Sequence, residues 1–218
     1  MGRYAVVGAS HGTGLAIVQR LAAAGHQVRA ISRNPGAGAG LVEAVSADVT
    51  QPASIAEALK GNFDAVFYTV DMHGVLKPRA EIRKVTYQGC ANTIAAADQA
   101  PVKPKFVLLS VIGSDKPSSV WWLLNSLKAG LKTNIGDRER SLRESGLPFV
   151  ILRAPKLNDE PGGERLAATD PVHALDFSLG ISRSDLARAM IQAADQAPPC
   201  SIWDVFASSS DPTPEWLR

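Results

Sequence analysis

The chain has 218 residues, of which 45% are hydrophobic and 20% charged, and its formal net charge is +2. These values suit one globular domain with a sizeable core and exclude a disordered chain, while the small charge favours neither nucleic acid nor an anionic membrane as a partner. No apolar run reaches the length of a membrane span, and no secretory signal pattern precedes the first predicted strand. The two cysteines, Cys90 and Cys200, lack metal spacing. We therefore expect a single cytoplasmic domain over residues 1–218 with no metal site.

The first predicted strand leads directly into a glycine-rich turn. Tyr4–Val7 is a short apolar run, glycines follow at 8, 12 and 14, and a helical pattern begins at Leu15. Gly8 allows a sharp turn, Gly12 lets the backbone approach a pyrophosphate, and Gly14 lets the helix pack on the strand. The helix N-terminus then offers free N–H groups and the positive end of its dipole to the anion. An ordinary tight strand-to-helix turn is the alternative.

The spacing of these glycines, G-x-x-x-G-x-G, resembles that of the short-chain dehydrogenase/reductase superfamily. The resemblance implies an α/β fold: a Rossmann-like, doubly wound, mostly parallel sheet with helices on both faces. It also implies an NAD(P) cofactor, whose pyrophosphate would lie on the turn. The predicted contacts in the turn are Gly8, Ser10, His11, Gly12, Thr13 and Gly14.

The end of the second strand favours NADP(H) over NAD. The strand Gln27–Ile31 is followed by Ser32 and Arg33, with no acidic residue nearby. NAD-specific enzymes usually place an acid here for the ribose 2′-hydroxyl, whereas an arginine accommodates a 2′-phosphate. A surface arginine that begins a loop is the alternative.

Two further strands lead to the same edge of the predicted sheet. Leu41–Val45 is the third strand, and Thr50 is placed to cap the helix after it. Asp64–Val70 is the fourth strand; its last residues, Thr69 and Val70, lie at the carboxyl end, where open α/β sheets bind ligands. In the resembling superfamily an Asp and an apolar residue after the third strand contact adenine, and Asp48 and Val49 match them. A simple turn before the helix is the alternative reading of Asp48.

The loop at residues 71–79 is predicted to border a nicotinamide or substrate pocket. Its His73 is a candidate proton donor and substrate contact, although a lone loop histidine is more often exposed and inert. A long helix follows from about Ile82, and Lys105–Leu109 then forms the fifth strand. In the superfamily a serine at the end of this strand hydrogen-bonds the reacting carbonyl or the cofactor. Ser110 matches it, with Val111 beside it, and a turn-forming serine is the alternative.

The catalytic Tyr-x-x-x-Lys pair of the superfamily is missing. Residues 116–146 contain no tyrosine, so neither Lys128 nor Lys132 has the partner that would make the pair. The segment instead holds Trp121 and Trp122, which either belong to the core or form an apolar wall for a flat substrate.

The third quarter of the chain carries further motifs that point to one group within the superfamily. A helix over about residues 134–145 is followed by S-G-L, the strand Phe149–Leu152 and the R-x-P run that starts at Arg153. With the glycine turn, Arg33, Asp48 and Ser110, this order resembles the atypical short-chain reductases of the NmrA-like and biliverdin reductase B (flavin reductase) type. His11 departs from the glycine that many of them carry. The missing pair is shared with flavin-reductase-like members and with members that bind cofactor without turnover.

The last quarter is predicted to hold a small substrate-side region at about 156–218. We expect a loop at residues 158–169, a small strand at Pro171–Phe177, a helix capped by Ser182, and a closing strand at Ser201–Ala207. The tail with Trp216 either folds back or mediates a dimer contact.

Together these features predict an NADPH-dependent oxidoreductase that transfers hydride to a small, flat or conjugated substrate such as a flavin, quinone or conjugated carbonyl. The proton would come from solvent or from His73. A non-catalytic NADP-binding redox sensor is the main alternative, and an isomerase or dehydratase that uses the cofactor transiently is a third. We expect a monomer or homodimer that binds a small molecule, with neither nucleic acid nor membrane as a partner.

Overall fold

The computed structural model describes residues 1–71, 77–175 and 178–218. Its strands are β1 (Arg3–Val7), β2 (Gln27–Ser32), β3 (Val42–Ser46), β4 (Ala65–Tyr68), β5 (Lys105–Val111), β6 (Phe149–Ala154), β7 (Lys156–Asn158), β8 (Leu166–Thr169), β9 (Gly180–Ser182) and β10 (Ser201–Ala207). Its helices are α1 (Gly12–Ala23), α2 (Pro52–Ala58), α3 (Arg79–Arg83), α4 (Gly89–Asp98), α5 (Ser119–Leu127), α6 (Leu131–Glu144) and α7 (Arg183–Gln196). A π-helical turn at Lys84–Gln88 joins α3 to α4, and a 3₁₀ turn lies at Glu215–Leu217.

Eight strands form one sheet in the order β3-β2-β1-β4-β5-β6-β10-β8. Every neighbouring pair is parallel except β10 with β8, and β7 and β9 make a separate two-stranded parallel sheet. The chain order reverses at β1, which lies between β2 and β4, so a crevice opens at the carboxyl ends of β1 and β4. This is the predicted Rossmann-like, doubly wound fold.

Helices cover both faces of the sheet, which explains why its central strands are apolar on both sides. On one face α1 and α7 pack through residues such as Ile17 and Met190, which are 0% exposed. On the other face α2, α4 and α6 pack through Ile55, Ile94 and Leu142. The glycine turn at the start of α1 therefore rests on a rigid layer.

Three local predictions were wrong. The N-cap of α2 is Gln51, and Thr50 instead donates its backbone N–H to Asp48 Oδ1 at 2.9 Å. Leu166–Thr169 is an edge strand rather than loop, because β10 provides a distant antiparallel partner that the short run does not reveal. The described part of Pro171–Phe177 contains no strand, and the small strand lies later, at β9.

The C-terminal tail folds back onto the domain, one of the two options that the sequence left open. Trp216 is 5% exposed, and its ring centroid lies 5.6 Å from that of Trp203. Along the edge of β8, Thr213 Oγ1 donates to Leu166 O at 2.7 Å and Ala168 N donates to Pro212 O at 3.2 Å. The tail thus covers polar backbone groups that would otherwise invite pairing with another chain.

Candidate functional site

The glycine turn leaves no room for side chains between β1, α1 and the end of β4. A Cβ on Gly14 would lie 2.2 Å from Gly8 O, and one on Gly8 would lie 2.7 Å from Thr69 Oγ1. Gly8 also has φ +98°, which favours glycine. Thr69 Oγ1 donates to Val7 O at 3.1 Å and so fastens the end of β4 to the turn. The predicted residues Gly8, Gly14 and Thr69 are therefore in mutual contact.

The N-terminus of α1 has no side-chain cap and no acidic residue that would repel an anion. Its N-cap, His11, makes no side-chain cap, and no acidic residue stands in the first turn. The exposed His11 ring instead lies 2.9 Å from Ser10 Oγ, measured at Nδ1. Two buried hydroxyls, Thr13 Oγ1 in the first turn and Ser32 Oγ at the end of β2, have no partner within the described part of the chain. Free N–H groups and unused hydroxyls at the crevice fit a dinucleotide.

Arg33 and Asp48 lie close enough to affect each other electrostatically. Partial burial acts to raise the pKa of Asp48, but hydrogen bonds from Thr50 and the positive charges of Arg33 and Lys84 hold it below its usual range. Arg33 is exposed at the carboxyl end of β2, where no acidic residue follows. An ionised Asp48 and a solvent-facing guanidinium thus flank this corner of the crevice.

Val49 and Val70 line the same side of the sheet. Val49 is 8% exposed, and its carbonyl accepts a hydrogen bond from Asn92 Nδ2 at 2.9 Å, which ties this loop to α4. Val70 is half-buried directly after Thr69 and packs against the core beneath α2 and α4. The predicted His73 lies outside the described residues.

Arg183 is a cation beside the turn that the sequence reasoning missed. A Cβ on Gly12 would meet Arg183 Cδ at 3.4 Å, and Arg183 Nη1 lies 2.7 Å from Asp159 Oδ1. The correctly predicted Ser182 cap, which accepts from Asp185 N at 3.0 Å, places Arg183 as the first residue of α7. A predicted helix boundary alone does not show that α7 packs beside α1, so no sequence signal marked this residue.

A buried polar row crosses the carboxyl half of the sheet. Ser110, Arg153, Asp204 and Thr169 are register partners on β5, β6, β10 and β8, so their side chains share one face. Ser110, Arg153 and Asp204 are each at most 5% exposed. Polar residues in a row this well buried are costly unless they are paired. The role of this row therefore depends on the hydrogen-bond partners of its side chains.

Glu139 on α6 connects Ser110 to Arg153. Ser110 Oγ donates to Glu139 Oε1, and Arg153 donates to Glu139 through Nε at 3.2 Å and Nη2 at 2.7 Å. Arg153 Nη1 also donates to Asp115 Oδ2 at 3.1 Å. Burial acts to lower the pKa of Arg153, but its hydrogen bonds and charge interactions with Glu139 and Asp115 raise it. The Ser110 hydroxyl thus donates its hydrogen to Glu139, and its oxygen can still accept a hydrogen bond from another group. The sequence pattern of α6 does not reveal Glu139, because a charged residue there is read as solvent-facing.

The two tryptophans of α5 have different environments. Trp121 is 2% exposed, and its indole N–H donates to Gly113 O at 2.7 Å. Trp122 is 74% exposed. Trp121 packs with Leu131 and Ile135 of α6, in a small apolar cluster next to Val111. Trp121 is therefore a core residue at the rim of the crevice, while Trp122 faces outward.

Within residues 1–71, 77–175 and 178–218, no group of three or more His, Cys, Asp or Glu side chains is arranged to hold a metal ion. None of the helices that the structure describes is both long and apolar enough to cross a membrane.

Comparison with known proteins identifies the family of this chain. A family model described as NAD(P)H-binding matches residues 8–197. The uncharacterised sugar epimerase YhfK of Bacillus subtilis is 30% identical over 177 residues, which are 78% of this chain and 77% of that protein. An uncharacterised chloroplastic protein of Arabidopsis thaliana is 29% identical over 165 residues, 67% of this chain. The match spans 49% of that relative, about half of its length.

A solved structure gives the same result for the fold. A short-chain dehydrogenase/reductase of Veillonella parvula, determined in complex with NADP, superposes with a TM-score of 0.74 at 16% identity. The superposition covers 97% of this chain and 99% of that one. The superposition confirms the Rossmann-like fold, and the family match confirms the NAD(P)H-binding family that the resemblance implies.

Proposed function

Because this chain belongs to the NAD(P)H-binding family, we propose that it is an NADPH-dependent reductase of a small, flat or conjugated substrate such as a flavin, a quinone or a conjugated carbonyl. The observation that carries the proposal is the composition of the crevice. A turn that admits only backbone lies at an uncapped helix N-terminus, and Arg33, without an acidic neighbour in sequence, ends the adjoining strand. This combination suits a pyrophosphate and a 2′-phosphate.

Each part of the crevice would hold a different part of the cofactor. The turn residues from Gly8 to Gly14 would bind the pyrophosphate, with the unused hydroxyl of Thr13 beside them. Ser32 and Arg33 would receive the 2′-phosphate, and Asp48 and Val49 would contact adenine. Thr69, Val70, Ser110 and Val111 would border the nicotinamide, where the oxygen of Ser110 can accept a hydrogen bond. When bound, NADPH supplies a hydride.

The missing Tyr-x-x-x-Lys pair limits which acceptors suit this site. On α6, the helix that packs beside β5, Leu131 and Ile135 lie in an apolar cluster with Trp121. A substrate bound at the edge of this cluster, beside the partly buried Val111, would be positioned mainly by apolar contact. An acceptor that is already electrophilic needs little further activation, since positioning alone supplies much of the rate. This is why we favour flavins, quinones and conjugated carbonyls over simple ketones.

Similarity to the sugar epimerase YhfK favours a second candidate, an isomerase that uses the cofactor transiently. A cofactor-dependent sensor without turnover is the other class of function. These proposals assume a small-molecule ligand and a monomer or homodimer in the cytoplasm. They differ in whether NADPH is consumed.

The test is NADPH and NADH binding followed by turnover. Quenching of tryptophan fluorescence reports binding, and absorbance of the reduced nicotinamide reports its oxidation by flavin, quinone and enone acceptors. We expect NADPH to bind more tightly than NADH and to be oxidised over many turnovers by at least one acceptor. Binding without turnover would support the sensor, and product formation without net NADPH loss would support the isomerase. Failure to bind either nucleotide would contradict all three.

A further inference from the structure

A carboxylate without access to solvent lies in the middle of β10. Asp204 is 0% exposed, and its Oδ2 accepts hydrogen bonds from the backbone N–H of His173 at 3.0 Å and from the His173 ring at 3.1 Å, measured to Nδ1. Within the described ranges, its other oxygen, Oδ1, has no partner. Burial raises the pKa of Asp204, and hydrogen bonds from His173 and the charge of Arg153 act in the opposite direction. An arrangement this costly is most often kept where chemistry uses it.

The contact with Asp204 defines the state of the His173 ring. Nδ1 faces the carboxylate, so with Asp204 ionised the neutral ring carries its hydrogen on Nδ1 and its lone pair on Nε2. The ring packs edge-on against Phe206, with centroids 4.9 Å apart, and the side chain remains 28% exposed. No described residue hydrogen-bonds Nε2. Asp204 thus fixes Nδ1, and Nε2 is the ring nitrogen that points away from the carboxylate.

The His173 segment lies against the loop that follows β5. Gly113, in that loop, is so close that a Cβ on it would lie 2.5 Å from Leu175 N. Leu175 joins the apolar cluster of Trp121, next to Val111. Asp204 also shares the buried row with Ser110, through Arg153 on the strand between them. The histidine therefore flanks the carboxyl ends of the strands proposed to hold the nicotinamide and the substrate.

We propose that His173 is the proton donor of this site and that Asp204 is the residue that positions it. The inference rests on the reductase function proposed above. Once hydride has added to the conjugated acceptor, an oxygen or nitrogen of the acceptor carries the negative charge. The bond between Nε2 and its hydrogen in the His173 imidazolium breaks, and a new O–H or N–H bond forms on the acceptor. Neutral His173 then takes a proton from water, while Asp204 stays ionised.

The charges around His173 predict how its proton affinity responds to mutation. Asp204 on β10 favours the imidazolium, whereas Arg153 on β6 opposes it. In the loop after β5, Lys116 Nζ donates to Val172 O, so a second cation lies close by, and Asp115 offsets part of the Arg153 charge. From β8, Thr169 adds a hydroxyl 3.5 Å from Nδ1, and Asp170 follows it along the chain. Removing the Asp204 charge is therefore expected to make the ring more acidic.

The first test is a pH profile of kcat for NADPH oxidation, using whichever acceptor the wild-type protein reduces. We expect His173→Gln to lower kcat by about 100-fold, within the usual range for a general acid, and to remove the decline of kcat at high pH. The Kd of NADPH should change less than about twofold, since His173 is not assigned to the nucleotide. Asp204→Asn should lower kcat less and move the decline to lower pH. An unchanged kcat and profile in His173→Gln would overturn the proposal.

The second test needs neither cofactor nor activity. The chain has four histidines, so single substitutions assign each ring in two-dimensional ¹H–¹⁵N spectra of the cofactor-free protein. We expect the neutral His173 ring to be protonated at Nδ1 and to shift towards Nε2–H in Asp204→Asn. A wild-type ring protonated at Nε2 would overturn the inference.

Two controls separate this inference from other outcomes. His26→Gln alters a histidine at the other end of the sheet, where Nδ1 accepts from Gly2 N at 3.0 Å, and should leave kcat unchanged. His73→Gln tests the histidine predicted from sequence; loss of the high-pH decline there and not in His173→Gln would overturn the assignment of His173. NADPH binding without turnover of any acceptor by the wild type would instead overturn the reductase function. The ring spectra would still test whether Asp204 holds the hydrogen of His173 on Nδ1.

Discussion

Gly14 packs so closely against the carbonyl of Gly8 that no larger residue fits at position 14: a Cβ there would lie 2.2 Å from Gly8 O. Gly8 directly follows β1 and Gly14 lies in the first turn of α1, so this contact fixes how closely the helix approaches the sheet. The position of the helix N-terminus over the crevice therefore depends on a missing side chain.

Gly14→Ala should abolish nucleotide binding and destabilise the fold. The added methyl group must push α1 away from β1, and overpacking of this kind costs about 1–3 kcal/mol of unfolding free energy. Gly136→Ala is the matched control, because Gly136 also lies inside a helix but nothing stands within 4 Å of its Cβ position. That control should gain about 0.5–1 kcal/mol. Urea unfolding and fluorescence titration measure both effects; nucleotide binding of wild-type strength in Gly14→Ala would contradict the assignment of the turn.

Arg33→Ala should weaken NADPH far more than NADH. A hydrogen bond to a charged group contributes about 1.5–3 kcal/mol, so we expect the Kd of NADPH to rise by about 10- to 100-fold and that of NADH to stay within about twofold. Arg143, exposed near the end of α6, provides a control substitution that should change neither Kd. Equal losses for both nucleotides in Arg33→Ala would remove the 2′-phosphate role from this residue.

The parts of the fold that local patterns determine were predictable from the sequence. The strand, glycine turn and helix at the start of the chain were correct, because apolar period, glycine position and helix start agree within a few residues. The Ser182 cap and β10 were correct for the same reason. Thr50 was assigned one position too early as a cap, because it is hydrogen-bonded to Asp48 in the turn before α2.

What the sequence could not predict depends on distant partners. β8 forms a strand only because β10 offers it an antiparallel partner. His173 is a candidate only because its ring contacts Asp204, which lies 31 positions later in the chain. Glu139 belongs to a polar helix, and only the packing of α6 on β5 and β6 buries it against Arg153. The local pattern around each of these residues is that of an ordinary surface or loop position. The site roles proposed for Ser110, Arg33 and the other crevice residues stay predictions until ligands are measured.

Arg153→Met should destabilise the protein strongly, because it leaves Glu139 buried without a cation. Breaking one side of a buried ion pair typically costs about 3–5 kcal/mol, and adding Glu139→Gln to the same variant should recover part of that loss. The pair of the exposed Arg140 with the half-buried Asp137 is the control: Arg140→Met should cost less than about 0.5 kcal/mol. Urea unfolding at neutral pH measures all three variants. A loss in Arg153→Met no larger than that of the control would show that the buried pair contributes nothing to stability.

Ser110→Ala separates a role at the cofactor from a role in packing. The substitution removes a donor to Glu139, which should cost about 1 kcal/mol of unfolding free energy. If the hydroxyl oxygen also accepts a hydrogen bond from the reacting groups, kcat should fall about 10-fold while the Kd of NADPH holds. Ser114→Ala is the control, since Ser114 Oγ donates to the same Glu139 oxygen at 3.2 Å but is not assigned to the cofactor. Equal effects of the two variants on kcat would leave Ser110 with a packing role only.

Asp204 should make the stability of the protein depend on pH in the direction opposite to that of a carboxylate whose pKa is lowered on folding. Because burial raises the pKa of Asp204, the folded state holds its proton at pH values where the unfolded chain, with a pKa of about 3.9, has released it. Stability from this group is therefore fully present below about pH 4 and is lost as pH rises through the folded-state pKa. Relative to Asp204→Asn, the wild type should lose unfolding free energy as the pH rises from about 4 to the folded-state pKa, above which Asp204 is ionised beside His173. Urea unfolding of both proteins from about pH 4 to neutral pH tests this, and a wild type that gains stability over the variant with rising pH would show that His173 and Arg153 lower the pKa of Asp204 more than burial raises it.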